Sequence, residues 1–140
     1  MNILLAVDGS AYTKRMLAWL TTNDEWLSAP HEFTIVTVTP PISPYAASMF
    51  APDELKSYYS ESSEAVFKPI RKFMAKHDLA THYVSKVGHP AEVIGRLVDK
   101  EKFDLIIMGS HGHGNFLNLV MGSVASQVLA RCKVPVLLVR

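Results

Sequence analysis

The sequence predicts a single α/β domain with a doubly wound, five-stranded parallel sheet. The chain has 140 residues, a length typical of one domain. Its hydrophobic content of 49% is enough for a full core. Short apolar runs alternate with segments of helical periodicity, and strict β-α alternation with short connections is typical of a parallel sheet with helices on both faces. We therefore expect one domain over residues 1–140.

Five short segments are rich in apolar and β-branched residues, which favours strands. They are Ile3–Val7, Phe33–Thr39, Tyr83–Val87, Leu105–Met108 and Val134–Val139. The first and the fourth are the most apolar of the interior segments, as in strands covered on both faces, so we place them at the centre of the sheet. The third is more polar and is expected near an edge. These assignments predict the strand order 3-2-1-4-5.

Four helices are predicted between the strands from their capping signals and apolar spacing. Ser10 is the expected N-cap of the first helix. The second helix begins at Pro52, and Pro69 is expected to kink it. The third begins at Gly88-His89-Pro90, and the fourth runs from about Ser123 to Arg131. The predicted inner stripe of the second helix is Leu55, Tyr59, Ser62, Val66, Ile70 and Phe73.

Charge and cysteine content exclude several classes of function. Lys+Arg minus Asp+Glu is 14 − 13 = +1, so there is no basic field to attract nucleic acid or an anionic membrane. Cys132 is the single cysteine, which rules out an intrachain disulfide and a cysteine cluster for metal. The first apolar run ends at Asp8, too soon for a signal peptide or a membrane span. We expect a cytoplasmic protein without membrane insertion.

Residues 109–123 read GSHGHGNFLNLVMGS and contain four glycines. In the expected strand order they follow a central strand at the point where the strand order reverses, which is where doubly wound sheets bind ligands. Glycine lets backbone N–H groups turn towards a phosphate without a Cβ in the way. Gly122-Ser123 opens a helix whose free N–H groups favour an anion. A loop that only needs positive φ angles is the alternative, and the placement of the glycines favours the ligand.

Asp8, at the end of the first strand, faces the same crevice. Its carboxylate is able to accept hydrogen bonds from ribose hydroxyls or to cap the following turn, and the residues alone do not decide between the two. Two other nucleotide motifs are absent. Ser123 is not preceded by the lysine of a P-loop, and the first turn is only Asp8-Gly9-Ser10, without the dinucleotide fingerprint.

The glycines match the pattern G-x2-G-x9-G-S/T at Gly109, Gly112, Gly122 and Ser123. Together with ILLAVDGS, GHPAEVI, FDLIIMGSHGHG and VPVLLVR in this order, the whole chain resembles the universal stress protein family. The motif is similar to that of the subgroup that binds ATP. The resemblance implies the doubly wound fold, a homodimer and an ATP site.

The resemblance also implies a set of contacts with ATP. Ala6 and Asp8 would line the adenosine, with Asp8 on the ribose, and Val38 would contact adenine through its backbone. The ribose and phosphates would be wrapped by Gly109, Ser110, His111, Gly112, His113, Gly114, Asn115, Gly122, Ser123, Val124 and Ala125. His113 stands where many relatives carry Arg or Lys, which weakens the positive charge expected on the phosphates.

No metal held by the protein is expected. His111 and His113 lie two residues apart without an evident third ligand, whereas zinc needs three or four. A Mg²⁺ ion held mainly by the ATP phosphates and water is more compatible with the residues.

Two function classes remain open, with a weaker third. The favoured one is an ATP-binding regulatory or stress-response module. The second is a slow ATPase or a nucleotide-dependent transferase on the same site. The weaker third is an interaction dimer with an empty cleft. No lysine or arginine lies from Met108 to Ala130 to stabilise charge on a γ-phosphate, so we assign no catalytic residue. The apolar last strand, at a sheet edge, predicts a homodimer, and an unidentified protein partner remains open.

Overall fold

A computed structural model provides the structure of the protein and describes residues 1–114, 118 and 120–140. The strands and helices of this part of the chain are, in order, β1 (Asn2–Ala6), α1 (Ala11–Thr22), α2 (Glu25–Ser28), β2 (Glu32–Thr39), α3 (Pro44–Ser48), α4 (Pro52–Lys76), β3 (Thr81–Val87), α5 (Pro90–Lys100), β4 (Leu105–Gly109), α6 (Ser123–Arg131) and β5 (Val136–Val139).

The five strands form one parallel sheet in the order β3-β2-β1-β4-β5. The predicted strand order is therefore confirmed. Leu5 on β1 pairs with Ile35 on β2 and with Ile107 on β4, so β1 lies between the two. β3 and β5 are the edges. Because β1 and β4 are neighbours, the turns that follow them meet at the same end of the sheet.

Helices cover both faces of the sheet, as predicted. On one face Ile3 and Leu5 of β1 pack among the buried side chains of α1 and α4. On the other face Leu4 packs with Ile94 of α5 and Val128 of α6. Successive side chains of a strand point to opposite faces, which is why the continuous apolar run of β1 is buried on both sides.

The buried face of the long helix α4 overlaps its predicted inner stripe in part. Its buried residues are Ser63, Phe67, Ile70 and Met74, so Ile70 is the one member of the predicted stripe that is fully buried. The helix continues through Pro69 to Lys76, and Pro69 is exposed. Val66 and Phe73 of the predicted stripe are half-buried and pack against the same core.

Two short helices, α2 and α3, were not predicted. Neither has a buried residue, so neither carries the apolar periodicity that marks a helix in sequence. β5 begins at Val136, two residues later than predicted. Burial raises the pKa of the Cys132 thiol, and its side chain packs against the α5–α6 core, as a packing residue does. No described helix is both long and apolar enough to cross a membrane.

Candidate functional site

A cleft of about 390 Å³ opens at the carboxyl ends of the central strands. Its walls come from the ends of β1, β2 and β4, from the first turns of α5 and α6, and from one side of α4. This is the switch point of the sheet, where ligands of open α/β folds bind. The volume lies within the range of ligand pockets, which is roughly 300–1,000 Å³.

Most of the residues predicted to contact a ligand line this cleft, and their contact with a ligand stays a prediction. They are Ala6, Asp8, Val38, Gly109, His111, Gly112, His113, Gly122, Ser123, Val124 and Ala125. Ser110 and Gly114 are not among the lining residues. Ser110 is buried, its N–H donates to the Val139 carbonyl at 2.8 Å, and its carbonyl accepts from Gly122. Asn115 lies outside the described residues.

The end of β2 presents to the cleft a backbone edge that has no hydrogen-bond partner among the described residues. The last bond between β1 and β2 runs from the Val7 N–H to the Val36 carbonyl at 2.9 Å. The Thr39 carbonyl points to the β3 side of β2, where it accepts a hydrogen bond from the Gly88 N–H at 3.0 Å. Backbone groups of a parallel strand alternate sides residue by residue, so the N–H and C=O of Val38 point to the β1 side. There β1 has already ended, and the cleft takes its place.

Asp8 caps its own turn with one carboxylate oxygen. Its Oδ1 accepts from the Ser10 N–H at 2.9 Å and from the Thr13 hydroxyl at 3.0 Å. No described residue donates a hydrogen bond to Oδ2, which lies beside Gly112. Both Asp8 and Gly112 line the cleft. The carboxylate therefore does cap, as one of the two sequence hypotheses held, and it keeps a second acceptor.

Ser10 occupies the N-cap position of α1, but its side chain makes no capping hydrogen bond. Its Oγ is buried without a partner among the described residues. The Asp8 carboxylate accepts the Ser10 N–H instead. Ser10 therefore stands at the predicted N-cap position, but the capping bond expected of its side chain is not made.

Three motif glycines lie close to other protein atoms that a Cβ would approach. A Cβ on Gly109 would lie 2.6 Å from the Tyr12 Cβ, and one on Gly112 would lie 2.8 Å from Asp8 Oδ2. A Cβ on Gly122 would lie 3.0 Å from the His111 Cα. Only Gly114, among the described glycines of this stretch, has a positive φ, at 143°. The alternative of a loop that merely needs positive φ angles therefore fails for the three motif glycines.

The first turn of α6 has backbone N–H groups without a hydrogen-bond partner among the described residues. Gly122 is the N-cap residue of this helix. The first hydrogen bond inside the helix runs from the Ser126 N–H to the Gly122 carbonyl. The N–H groups of the three residues between have no intrahelical acceptor. Those residues, Ser123, Val124 and Ala125, all line the cleft. This helix end combines free donors with the positive end of the helix dipole.

Two histidines link the loop after β4 to the rest of the site. The His113 Nε2–H donates to the Asp8 carbonyl at 2.6 Å and so joins the loop to the end of β1. His111 Nδ1 is hydrogen-bonded to the Ser110 hydroxyl at 2.9 Å, and its ring lies 5.0 Å from that of Tyr12. No group of three or more possible metal ligands occurs among the described residues.

The described lining carries little charge. Asp8 is its one acidic residue, and neither lysine nor arginine is found there. On α1, outside the lining, the Arg15 guanidinium stacks over the Tyr12 ring with 4.8 Å between its Cζ and the ring centroid. Backbone donors, rather than cationic side chains, therefore provide the polarity that is complementary to an anion.

Sequence reasoning missed several lining residues, above all Thr13 on α1, Ser62 and Val66 on α4, and Pro90 and Ile94 on α5. Ser62 and Val66 belong to the predicted inner stripe of α4, and Val66 packs against the core as well as lining the cleft. The position of Thr13 could have been used to predict a hydrogen bond to the turn before α1, since a threonine in the first turn of a helix often bonds to nearby backbone or side-chain groups.

The fold and the cleft together define a doubly wound α/β domain with a glycine-lined ligand cleft at its switch point. The chain belongs to the Universal stress protein family, whose sequence profile matches residues 1–140.

Two relatives align along nearly the whole chain. A universal stress protein of Thermus aquaticus is 31% identical over 139 residues, which is 99% of this chain and 98% of the relative. Universal stress protein Slr1230 of Synechocystis is 30% identical over 139 residues, again 99% of this chain. The aligned region is 42% of that protein, so this chain spans less than half of the Synechocystis relative.

Solved structures share the fold. That of MJ0577 from Methanocaldococcus jannaschii superimposes with a TM-score of 0.83 at 26% identity, covering 99% of this chain and 94% of the other. An Arabidopsis thaliana family member with AMP bound gives 0.71 at 15% identity and covers 99% and 90% of the two chains. A universal stress protein in complex with cAMP gives 0.70 at 21% identity and covers 100% and 97%.

Proposed function

We propose that this protein is a nucleotide-binding regulatory module of the stress-response type that holds ATP in the cleft. One observation carries the proposal. A backbone donor and acceptor, a carboxylate oxygen and a helix N-terminus, which are the partners of a base, a ribose and a phosphate chain, all belong to one cleft of about 390 Å³.

Adenine would lie against the end of β2. The Val38 N–H and C=O form a donor and acceptor pair that matches N1 and the N6 amino group of adenine. Apolar side chains of Val36, Pro90 and Ile94 belong to the same cleft and suit the faces of an aromatic base. A fixed backbone pair with apolar surroundings is a common arrangement in ligand pockets.

The ribose and the phosphates would follow towards the loop after β4. Asp8 Oδ2 would accept from a ribose hydroxyl, as the family resemblance implies. The free N–H groups at the start of α6 would donate to phosphate oxygens. Mg²⁺ fits this arrangement as an ion held by the phosphates and water, since the cleft offers a single carboxylate among its described residues.

Two related structures support a nucleotide as the ligand. The Arabidopsis thaliana protein carries AMP and another family member carries cAMP. Both share adenosine with ATP, so the adenosine part of the proposal draws direct support from them. The proposal that the ligand has three phosphates is supported by the glycine motif and by the N-terminus of α6 in this protein.

The cleft suits binding better than phosphoryl transfer. Backbone amides and histidines hold a ground-state triphosphate, whereas fast transfer needs cationic groups placed at the γ-phosphate. Uniform binding of substrate and transition state does not raise turnover. A slow ATPase or a transferase is the second candidate, and phosphate release from Mg-ATP at about 1 s⁻¹ or faster, the range of kinases, would favour it.

We also propose that β5 pairs with the same strand of a second copy. β5 is a sheet edge with partly exposed apolar residues over Val136–Leu138. Edge strands of this kind pair readily with another chain, and a two-fold axis would satisfy both copies. Light scattering that finds only monomer at micromolar concentration would contradict this proposal. A further protein partner remains open.

A pair of tryptophan variants tests the nucleotide site. Val124→Trp would fill the cleft from the first turn of α6, whereas Leu129→Trp changes the same helix at a position that is 42% exposed and outside the cleft. We expect the first to abolish ATP binding in calorimetry and the second to leave it unchanged. Equal affinity of the two variants would contradict the site.

The natural ligand is open to direct measurement. Mass spectrometry of the small molecules released when the purified protein is denatured would identify a nucleotide that co-purifies with it. Calorimetry with ATP, ADP, AMP and cAMP then ranks the phosphate chain lengths. Absence of binding to all four would contradict the proposed function, and a preference for AMP over ATP would contradict the triphosphate.

A further inference from the structure

The turn between β1 and α1 holds the Asp8 carboxylate in one orientation. The Thr13 hydroxyl donates to Asp8 Oδ1 at 3.0 Å and accepts from the Asp8 N–H at 3.2 Å. The Ser10 N–H donates to the same Oδ1 at 2.9 Å. The side chain of Asp8 is therefore held by two donors on one of its oxygens.

Thr13 lines the cleft but is not free to donate to a ligand. Its residue is only 5% exposed, and a hydroxyl has one proton, which the bond to Asp8 Oδ1 already uses. Its second bond satisfies the Asp8 N–H, which lies past the last β1–β2 bond. The arrangement therefore acts on Asp8 rather than directly on a ligand.

The bonds to Oδ1 leave Oδ2 as the acceptor for a ligand. No described residue donates to Oδ2, and the absence of a Cβ at Gly112 makes room for it, since a Cβ there would lie 2.8 Å away. A carboxylate oxygen accepts hydrogen bonds and repels other acceptors. Oriented in this way, it selects a ligand with hydroxyl donors at this point of the cleft.

We propose that Thr13 is a positioning residue that makes the cleft selective for ribonucleotides over deoxyribonucleotides by fixing Asp8 Oδ2. The proposal rests on the proposed function, since it takes the ligand to be a nucleotide. A hydrogen bond to a charged group contributes enough for a roughly tenfold preference. The nucleotide that lacks the contacted hydroxyl leaves Oδ2 without that bond.

The test compares ATP with 2′-deoxy-ATP and 3′-deoxy-ATP by calorimetry on the unaltered chain, on Thr13→Val and on Thr13→Ser. Valine has the shape of threonine without the hydroxyl, and serine restores the hydroxyl. We expect the unaltered chain to bind ATP about tenfold more tightly than one of the deoxy forms. Thr13→Val should lose most of that ratio, and Thr13→Ser should keep it.

The ratio separates positioning from a structural effect. A variant that only loosens the fold weakens binding of ATP and of the deoxy forms alike, so an unchanged ratio in Thr13→Val overturns the proposal. Equal affinities for all three ligands in the unaltered chain overturn it too, while leaving nucleotide binding intact. No ATP binding by the unaltered chain overturns both this proposal and the proposed function. Circular dichroism of each variant shows whether it is folded.

Discussion

The cleft has two walls that are built in opposite ways. The apolar wall, made by Val36, Val38, Pro40, Pro90 and Ile94, consists of side chains and backbone carried largely on β2 and α5. The glycine wall, made by Gly109, His111, Gly112, Gly122 and Ser123, is shaped largely by the side chains it lacks. The apolar wall offers side-chain surface for a ligand to pack against, whereas the glycine wall lets backbone groups approach a ligand closely.

This difference shows why glycines cluster at the site. Gly109 and Gly122 let the loop after β4 lie against α1 and against itself, with would-be Cβ contacts of 2.6 and 3.0 Å. The wall therefore depends on close packing rather than on positive φ angles. Substitutions in the glycine wall should affect stability where a Cβ would meet backbone or another Cβ, and ligand binding where it would meet the Asp8 carboxylate, whereas substitutions in the apolar wall should affect ligand choice.

The largest effect is expected for Gly109→Ala. Its Cβ would meet the Tyr12 Cβ at 2.6 Å, and neither atom is the end of a flexible side chain. We expect a loss of about 1–3 kcal/mol in the free energy of unfolding, as for other overpacked sites. Urea denaturation followed by circular dichroism measures it.

Gly95→Ala is the matched control for that prediction. Gly95 lies inside α5, and its nearest would-be contact is the Arg131 Cδ at 3.8 Å. Alanine is favoured over glycine in a helix by up to about 1 kcal/mol, so this variant should be as stable as the unaltered chain or more so. Equal stability of the two alanine variants would contradict the packing role of Gly109.

A smaller effect is expected for Gly112→Ala, and it should fall on the ligand. Gly112 is exposed, and the atom its Cβ would meet is the end of the Asp8 side chain. Displacement of Oδ2 should weaken ATP binding by roughly tenfold through the lost ribose contact. The urea midpoint should hardly change. Unchanged affinity for ATP would show that Oδ2 does not contact the nucleotide.

The smallest expected effect concerns the apolar wall and the choice of base. The Val38 N–H and C=O suit N1 and the N6 amino group of adenine, whereas guanine presents the reverse order of donor and acceptor. We expect ATP to bind roughly fivefold more tightly than GTP, which is about 1 kcal/mol and corresponds to the net contribution of one hydrogen bond. Competition calorimetry measures the ratio. Equal affinities would contradict an adenine contact at Val38.

Local sequence patterns predicted the central strands of the sheet and the start of the helix that borders the cleft. The apolar runs of β1 and β4 indicated central strands, and the helix that follows Gly122 begins at Ser123 as expected. These signals are local because burial on both faces demands a continuous apolar run. The switch point then followed from strand order, and with it the loop where the glycines lie.

Other features had no local signal. α3 buries none of its residues, so no periodicity marked it. Ser62 and Val66 lie on an apolar stripe whose sequence does not show whether it faces the core or the cleft. In the structure both residues line the cleft, and Val66 packs against the core as well.

The sequence by itself determined the fold class, the strand order and the position of the cleft, because hydrophobic periodicity and glycine spacing are properties of neighbouring residues. Only the tertiary structure decided what the glycines contact, which carboxylate oxygen of Asp8 is engaged and how Thr13 holds it. Those facts depend on contacts between β1, α1 and the loop after β4. The contacts of the first two motif glycines, like the bond from His113 to Asp8, join segments about a hundred residues apart in the chain and arise only when those segments pack together. The bonds from Ser10 and Thr13 to Asp8 are local in sequence, but which oxygen they engage depends on side-chain geometry that hydrophobic periodicity does not encode.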